Sequence, residues 1–343
     1  MLKKIIQLCI FGLLLTRQAF AQDPQYSQYY AAPLYINPAL AGSGDYPRII
    51  LNYRNQWPGL PSSFTTYSAS FDTKIAKYNS GIGILFTQDI GTAAGLRSQD
   101  IGLQYSYEVK LNKGWRLRTG LQGSYVLRDI GFSSLIFGDQ LSDNGLTGAA
   151  TNERIRDTRR YVNVSAGGFL YSEKQWLGVS VHNINRPRQD ILGGNESRLP
   201  MRISVQGGMK FMLDDDSDWR DQYRPGYRER SITPTFLFKH QGPVDQLDLG
   251  AYMTLSPIVF GVFYRGIPLK RYNINVSNHE SVIGLVGLQM GPLNVGYSYD
   301  LTISGLGMGS GGAHEISMRY VIIQKQQRGQ GKKSYFSFPC PRF

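Results

Sequence analysis

Along most of the chain, apolar and polar residues alternate with a period of two. Ile101, Leu103, Tyr105, Tyr107, Val109 and Leu111 alternate with Gly102, Gln104, Ser106, Glu108 and Lys110. Trp115, Leu117, Leu121, Tyr125 and Leu127 share one parity, and Arg116, Arg118, Gln122, Ser124 and Arg128 the other, with Val126 as the exception. Leu293, Val295, Tyr297, Tyr299 and Leu301 alternate with Asn294, Gly296, Ser298 and Asp300, and 201–211, 247–254 and 315–322 behave likewise. Successive side chains on a strand point to opposite faces, so each stretch predicts a strand with one apolar and one polar face. The pattern predicts strands at 47–57, 64–74, 80–88, 98–111, 114–128, 159–171, 175–185, 200–213, 231–240, 245–255, 257–266, 280–290, 292–301 and 313–323. The total is about fourteen, an even number, as single-chain bacterial barrels have. The stretch 231–240 is interrupted by Pro234, which cannot donate to a strand ladder.

A soluble sandwich also alternates, so three further features decide. The strands run to about ten residues, the length a tilted strand needs to cross a bilayer. Tyr, Trp and Phe fall near strand ends on the apolar parity, as in an aromatic girdle. The other parity carries Arg, Lys, Glu, Asp, Gly and Ser; a dry core does not tolerate so many charges, whereas a wet lumen does. The expected fold is therefore all-β, a transmembrane antiparallel β-barrel of about 14 strands. No apolar run reaches the length of about 18 residues that a membrane-spanning helix requires.

The ends read differently. Residues 1–21 have the form of a signal peptide: Lys3 and Lys4, an apolar run from Ile5 to Leu15, and the small-residue site Ala19-Phe20-Ala21, leaving Gln22 first in the mature chain. Residues 22–46 are rich in Tyr and Pro; Pro24, Pro33 and Pro38 forbid a long helix or a central strand, and the segment is apolar enough to pack at the barrel mouth or in the lumen. The barrel occupies 47–323, and 324–343 form a polar, basic tail with an aromatic end, expected in the periplasm.

Composition narrows the function. The 343 residues hold 37 Lys plus Arg against 25 Asp plus Glu, a net charge of +12, yet only 18% are charged. The 39 Gly, 22 Tyr and 16 Phe favour strands and turns over helices. The positive residues are spread through the strands and form no patch for tracking phosphates, so no nucleic-acid partner is expected. Inside a barrel, Arg116, Arg118, Arg202, Arg265 and Arg319 are expected to pair with Glu108, Asp248, Asp300 and Glu315, because buried charges need partners, the functional alternative being a pore selective for anions. Two cysteines, Cys9 in the leader and Cys340, exclude a disulfide framework.

No chemistry-bearing motif survives inspection. Gly307-Met308-Gly309-Ser310-Gly311-Gly312 fits a dinucleotide fingerprint by letter, but the residues after it, His314 to Ile322, alternate as a strand instead of opening a helix. His182, His240, His279 and His314 show no metal-ligand spacing. No catalytic, cofactor-binding or metal-binding residue is assigned, and the protein is expected not to be an enzyme. With both termini in the periplasm, the connections at Asn112-Lys113, Ser172-Glu173-Lys174, Ser256 and Gly291 are periplasmic and short, while 129–158, 186–199, 267–279 and 302–312 are long external loops. Residues 214–230 break the rule by being long on the periplasmic side; their Arg220, Arg224, Arg228 and Arg230 are a candidate docking site for a periplasmic partner.

The mature chain opens with two short signatures, Gln25-Tyr26-Ser27-Gln28-Tyr29 and Asn37-Pro38-Ala39-Leu40-Ala41-Gly42. Tyr53-Arg54-Asn55-Gln56-Trp57 come next, in the first strand, and the chain ends Cys340-Pro341-Arg342-Phe343. This ordered series resembles the PorP/SprF family of outer-membrane proteins of the type IX secretion system in Bacteroidetes. The resemblance implies a non-enzymatic outer-membrane component that works with the machinery exporting large proteins, including gliding adhesins, with a C-terminal secretion domain. It also implies periplasmic partners, a secretion lipoprotein or a peptidoglycan-binding protein. The residues themselves leave a second class open, a porin or a hydrophobic-solute barrel of the fatty-acid transporter type. Whether 22–44 fill the lumen discriminates between the two.

Overall fold

The computed structural model describes residues 23–92, 95–131, 140–142, 145–146, 158–189, 198–213, 228–273, 276–323 and 340. Its barrel strands are β1 (Arg48–Gln56), β2 (Phe64–Ile75), β3 (Ser80–Gly91), β4 (Leu96–Lys110), β5 (Arg116–Ile130), β6 (Thr158–Tyr171) and β7 (Gln175–His182). They continue with β8 (Arg202–Met209, resumed at Phe211–Met212), β9 (Arg230–Gln241), β10 (Val244–Leu255), β11 (Ile258–Asn273), β12 (Val276–Met290), β13 (Leu293–Thr302) and β14 (Ala313–Val321). Each pairs antiparallel with its sequence neighbours, and β1 pairs with β14 in the register Arg48↔Val321, so the sheet closes on itself as a barrel of fourteen strands. Closure leaves no sheet edge, which a bilayer demands because lipid supplies no hydrogen bonds to an open one.

The alternation sorts as its chemistry requires. Leu103, Leu121 and Val262 face outward, 65%, 62% and 66% exposed, where lipid surrounds them, while their neighbours Gln104 and Gln122 are buried inside. Pro234 is accommodated within β9, opposite Ala251 of β10. Its missing N–H shows on the other side: the ladder from β8 lapses opposite it, between Gly208↔Thr235 and Phe211↔Ile232, while on the side of β7 Lys210 N donates to Lys174 O at 2.7 Å.

Three boundaries differ from the sequence pattern. The stretch 267–279, expected as a loop, belongs largely to β11 and β12; a register shift at Arg265/Gly266, with Gly266 at φ +143°, throws the alternation out of phase there. The seventh strand stops at His182 because Asn183 turns the chain at φ +60°. Trp57 lies just past β1 at φ +57°, its N–H donating to Gly312 O at 2.7 Å. The end of the barrel where β1 begins and β14 ends is called the near end, and the opposite one the far end. Hairpins at 256–257 and 291–292 close the near end tightly, and the glycine-rich 307–312 forms a far-end connection containing a short turn, Met308–Ser310.

Both termini were expected on one side, and the two described residues nearest them lie towards opposite ends. Asp23 bonds Asn183, Arg202 and Gln241 at far-end positions of the wall, whereas Cys340 is buried beside Arg48 and Val321 at the near end. The cause is that residues 23–47 run lengthwise through the lumen before β1 starts.

Candidate functional site

The lumenal segment has little structure of its own. Tyr29–Ala31 and Pro38–Leu40 are single 3-10 turns, and Pro33–Ile36 is one helical turn. Pro33 and Pro38 each sit at a first-turn position, where proline's fixed φ helps and its missing N–H is not needed. Asn37 caps the last turn, its Oδ1 accepting from Ala39 N at 2.9 Å. Turns this short leave most backbone groups unpaired, and a buried unpaired group costs about 1–3 kcal/mol. The wall supplies the partners, in two clusters.

The first cluster holds Ser27 and Gln28. Glu315 of β14 accepts from both backbone N–H groups, Oε2 from Ser27 at 2.7 Å and Oε1 from Gln28 at 3.0 Å. Ser27 Oγ donates to Asp300 Oδ2 at 2.6 Å and accepts from Arg54 at 2.8 Å and Arg265 at 3.0 Å. Arg54 pairs with Asp300 and Glu315 at 2.9 and 3.1 Å, and Arg265 with Asp248 and Asp300, both at 2.9 Å. Gln28 Nε2 donates to Ser298 Oγ and Glu315 O, and its Oε1 accepts from Ser317 Oγ. Two guanidinium groups thus face three buried carboxylates, with the half-buried Glu280 3.8 Å from Arg265, and the segment's own hydroxyl lies between them.

The second cluster holds Asn37 to Gly42. Arg118 of β5, buried and paired with Glu108 at 2.8 Å, donates Nε to Ala39 O at 3.0 Å and Nη2 to Ala41 O at 2.6 Å. Ser106 Oγ also donates to Ala41 O, and Gly42 N donates to Asp72 Oδ2 at 2.7 Å. Arg48 joins Asp72 at 2.7 Å and Leu40 O at 3.2 Å. Asn37 Nδ2 reaches Gly168 O and Val179 O in the wall. The backbone lies so close to β5 that a Cβ on Gly120 would stand 2.4 Å from Ala39 N; on Gly81 it would stand 2.1 Å from Ala41 O.

Aromatic side chains fill the space between the clusters. Tyr29 OH lies 2.6 Å from Thr235 Oγ1, and Trp176 Nε1 donates to Tyr30 OH at 2.8 Å. Tyr29, Tyr30, Tyr252 and Phe263 stack edge-on or tilted, and Cys340 joins this apolar cluster from the near end. Burial pushes the phenols of Tyr26, Tyr29 and Tyr30 well above their ordinary range, so all three remain neutral. Beyond them a cavity of about 400 Å³ opens at the near mouth between Tyr46, Arg48, Glu229, Arg319 and Cys340.

The predicted signature residues divide. Tyr26, Ser27, Gln28, Tyr29, Asn37, Pro38, Ala39, Leu40 and Gly42 are buried in the lumen with Arg54, and Gln25 is half-buried. Asn55 lies on the outward parity, Gln56 pairs with Phe64 and Ala313 at the far end of β1, and Trp57 packs edge-on against Phe64. Of the four docking arginines, Arg220 and Arg224 lie outside the described residues, and Arg228 and Arg230 are exposed at the near end. The expected lumenal pairs of Arg116, Arg118 and Arg265 form, but Arg202 takes Asp23. Arg48, Asp72, Gly81 and Gly120 escaped the sequence reading. The signal they gave is inward parity, which marks a lumen but not its occupant. Among the described residues no group of three His, Cys, Asp or Glu side chains is placed to hold a metal ion. His182 lies 3.2 Å from Ile36 O, and His240 2.5 Å from Asp245.

No curated protein matches the chain. Among solved structures it is similar to the Acinetobacter baumannii outer membrane protein Omp33, at 5% identity over 82% of this chain and 100% of that one, with a TM-score of 0.44. It is similar to a Pseudomonas aeruginosa FadL homologue at 13% identity over 83% and 92% of the two chains, with a TM-score of 0.42. A TodX deltaS2S3 mutant monoaromatic hydrocarbon channel matches at 8% identity over 84% and 92%, with a TM-score of 0.43. The family model of the type IX secretion system membrane protein PorP/SprF spans residues 18–320, and through it this outer-membrane barrel with a threaded lumen belongs to the PorP/SprF family.

Proposed function

We propose that this protein is a non-enzymatic interaction component of the type IX secretion system. It binds or retains exported proteins that carry a C-terminal secretion domain, gliding adhesins among them. It couples them to a periplasmic lipoprotein or peptidoglycan-binding partner. The observation that carries this reading is the filled lumen: residues 23–47 occupy the path a solute would take and are held there by hydrogen bonds to buried charged side chains of the wall. A porin or hydrophobic-solute channel needs that path. On this reading the near end faces the periplasm. It carries the tight hairpins, the exposed Arg228 and Arg230, and the mouth cavity beside Cys340.

The test is mild-detergent affinity purification of the tagged protein from its own outer membrane, with mass spectrometry of the proteins recovered. Recovery of a large exported protein together with periplasmic secretion components is the expected result. A barrel that comes out alone, and conducts in a planar bilayer, overturns the proposal in favour of transport.

A further inference from the structure

At the far end of the lumen, the wall buries a lysine that forms no hydrogen bond or ion pair with a described residue. Lys239 of β9 points inward, 8% exposed, and its Nζ makes no hydrogen bond to a described residue. Its cross-strand neighbours are neutral, Ser204 on β8 and Gln246 on β10. The carboxylates in its vicinity are engaged elsewhere. Asp23 pairs with Arg202 at 3.2 Å and accepts from Asn183, Asp248 pairs with Arg265 at 2.9 Å and accepts from Gln246, and Glu280 lies 3.8 Å from Arg265. A buried ammonium without a partner is strongly disfavoured.

The ammonium borders a cavity of about 20 Å³ between the wall and the start of the lumenal segment, lined also by Asp23, Gln25, Arg202, Gln241 and Gln246. That volume exceeds the roughly 10–15 Å³ needed for one water-sized species. Two cations, Lys239 and Arg202, border it, together with the amide of Gln241, whose Nε2 reaches Pro200 O at 3.5 Å.

We infer that this cavity binds a single small monovalent anion of halide size, held by Lys239 Nζ. The ion completes the charge balance of the far lumen and ties residues 23–25 to β8–β10. This inference is independent of the secretion role, because it concerns the resting barrel alone.

The purified full-length mature barrel tests it in two ways. In crystals grown with bromide replacing chloride, an anomalous peak is expected beside Lys239 Nζ in the wild type and not in Lys239→Met. Thermal unfolding in detergent is monitored while chloride replaces gluconate at constant ionic strength. The wild type is expected to gain several degrees with saturation, and Lys239→Met to show no dependence. A wild-type cavity that holds water alone, with no bromide peak, overturns the inference. So does a chloride effect of equal size in both proteins, which would be general screening. Should Lys239→Met fail to fold, the wild-type peak and titration still decide.

Discussion

Ser27 and Asp300, 273 positions apart in sequence, meet at 2.6 Å inside the barrel, the serine hydroxyl donating to the carboxylate. Arg54 and Arg265 donate to the same hydroxyl from two other strands. The lumenal segment is therefore part of the charge network that the wall needs to keep its own inward charges satisfied.

The first prediction concerns that network. Arg54→Met leaves Asp300 and Glu315 short of one positive partner in a buried site. Removing one member of a buried pair costs about 3–5 kcal/mol. Combining Arg54→Met with Glu315→Gln removes the unbalanced charge and is expected to recover part of that loss. Denaturant unfolding of the two variants and the wild type in detergent measures both effects; a double variant no more stable than the single one contradicts this account.

A second prediction separates plug contact from barrel integrity. Gly120 faces the lumenal backbone, where an added Cβ meets Ala39 N at 2.4 Å, while at Gly123 an added Cβ meets nothing within 4 Å. Gly120→Val is expected to expel residues 38–46 and expose them to limited proteolysis, with the barrel still folded. Gly123→Val is expected to leave the segment protected. Equal protection in both variants means the segment does not sit against β5.

How far the sequence discloses this architecture depends on the surroundings each residue answers to. Leu103 and Gln104 reveal their faces because lipid and lumen sort side chains by polarity alone, one residue at a time. The stretch after Gly266 hides its strand because a bulge shifts the phase on which that reading depends. Arg118 was legible as an inward charge paired with one of four lumenal carboxylates, but its choice of Glu108 and its bonds to Ala39 O and Ala41 O were not. Backbone carbonyls carry no sequence signature, and the residues that meet lie 77 and 79 positions apart. The role of Gly120 was hidden for the same reason: a missing side chain shows where space is needed but not which group occupies it.

The membrane parity gives a third prediction. Leu121, 62% exposed on the outer face, stands beside Gln122, which is 7% exposed and borders a lumenal cavity of about 80 Å³ that also contains Asp89 and Asp100. Leu121→Arg places a charge in the hydrocarbon at a cost of about 2–4 kcal/mol near mid-membrane. Gln122→Arg meets carboxylates and is expected to cost much less. Unfolding in lipid vesicles, where the apolar phase is real, is the measurement; equal costs would reverse the assignment of faces.

The last prediction joins the plug to conduction. Deleting 23–44 removes Ser27, the occupants between Arg118 and Glu315, and the segment's share of both anchoring clusters, yet it removes no strand. The ladder from β1 to β14 that closes the barrel is made between Arg48–Gln56 and Ala313–Val321 and is untouched. The shortened protein is therefore expected to insert as a heat-modifiable barrel with lowered stability, because Arg54 and Arg118 lose their bonds to the segment. In a planar bilayer the intact protein is expected to be silent and the shortened one to show discrete conductance steps. Arg118→Met, which keeps the segment but loses its bonds to Ala39 and Ala41, should fall between the two, with brief openings as residues 39–42 leave the wall. If the intact protein already conducts as well as the shortened one, the segment is not a seal, and the filled lumen no longer separates an interaction protein from a channel.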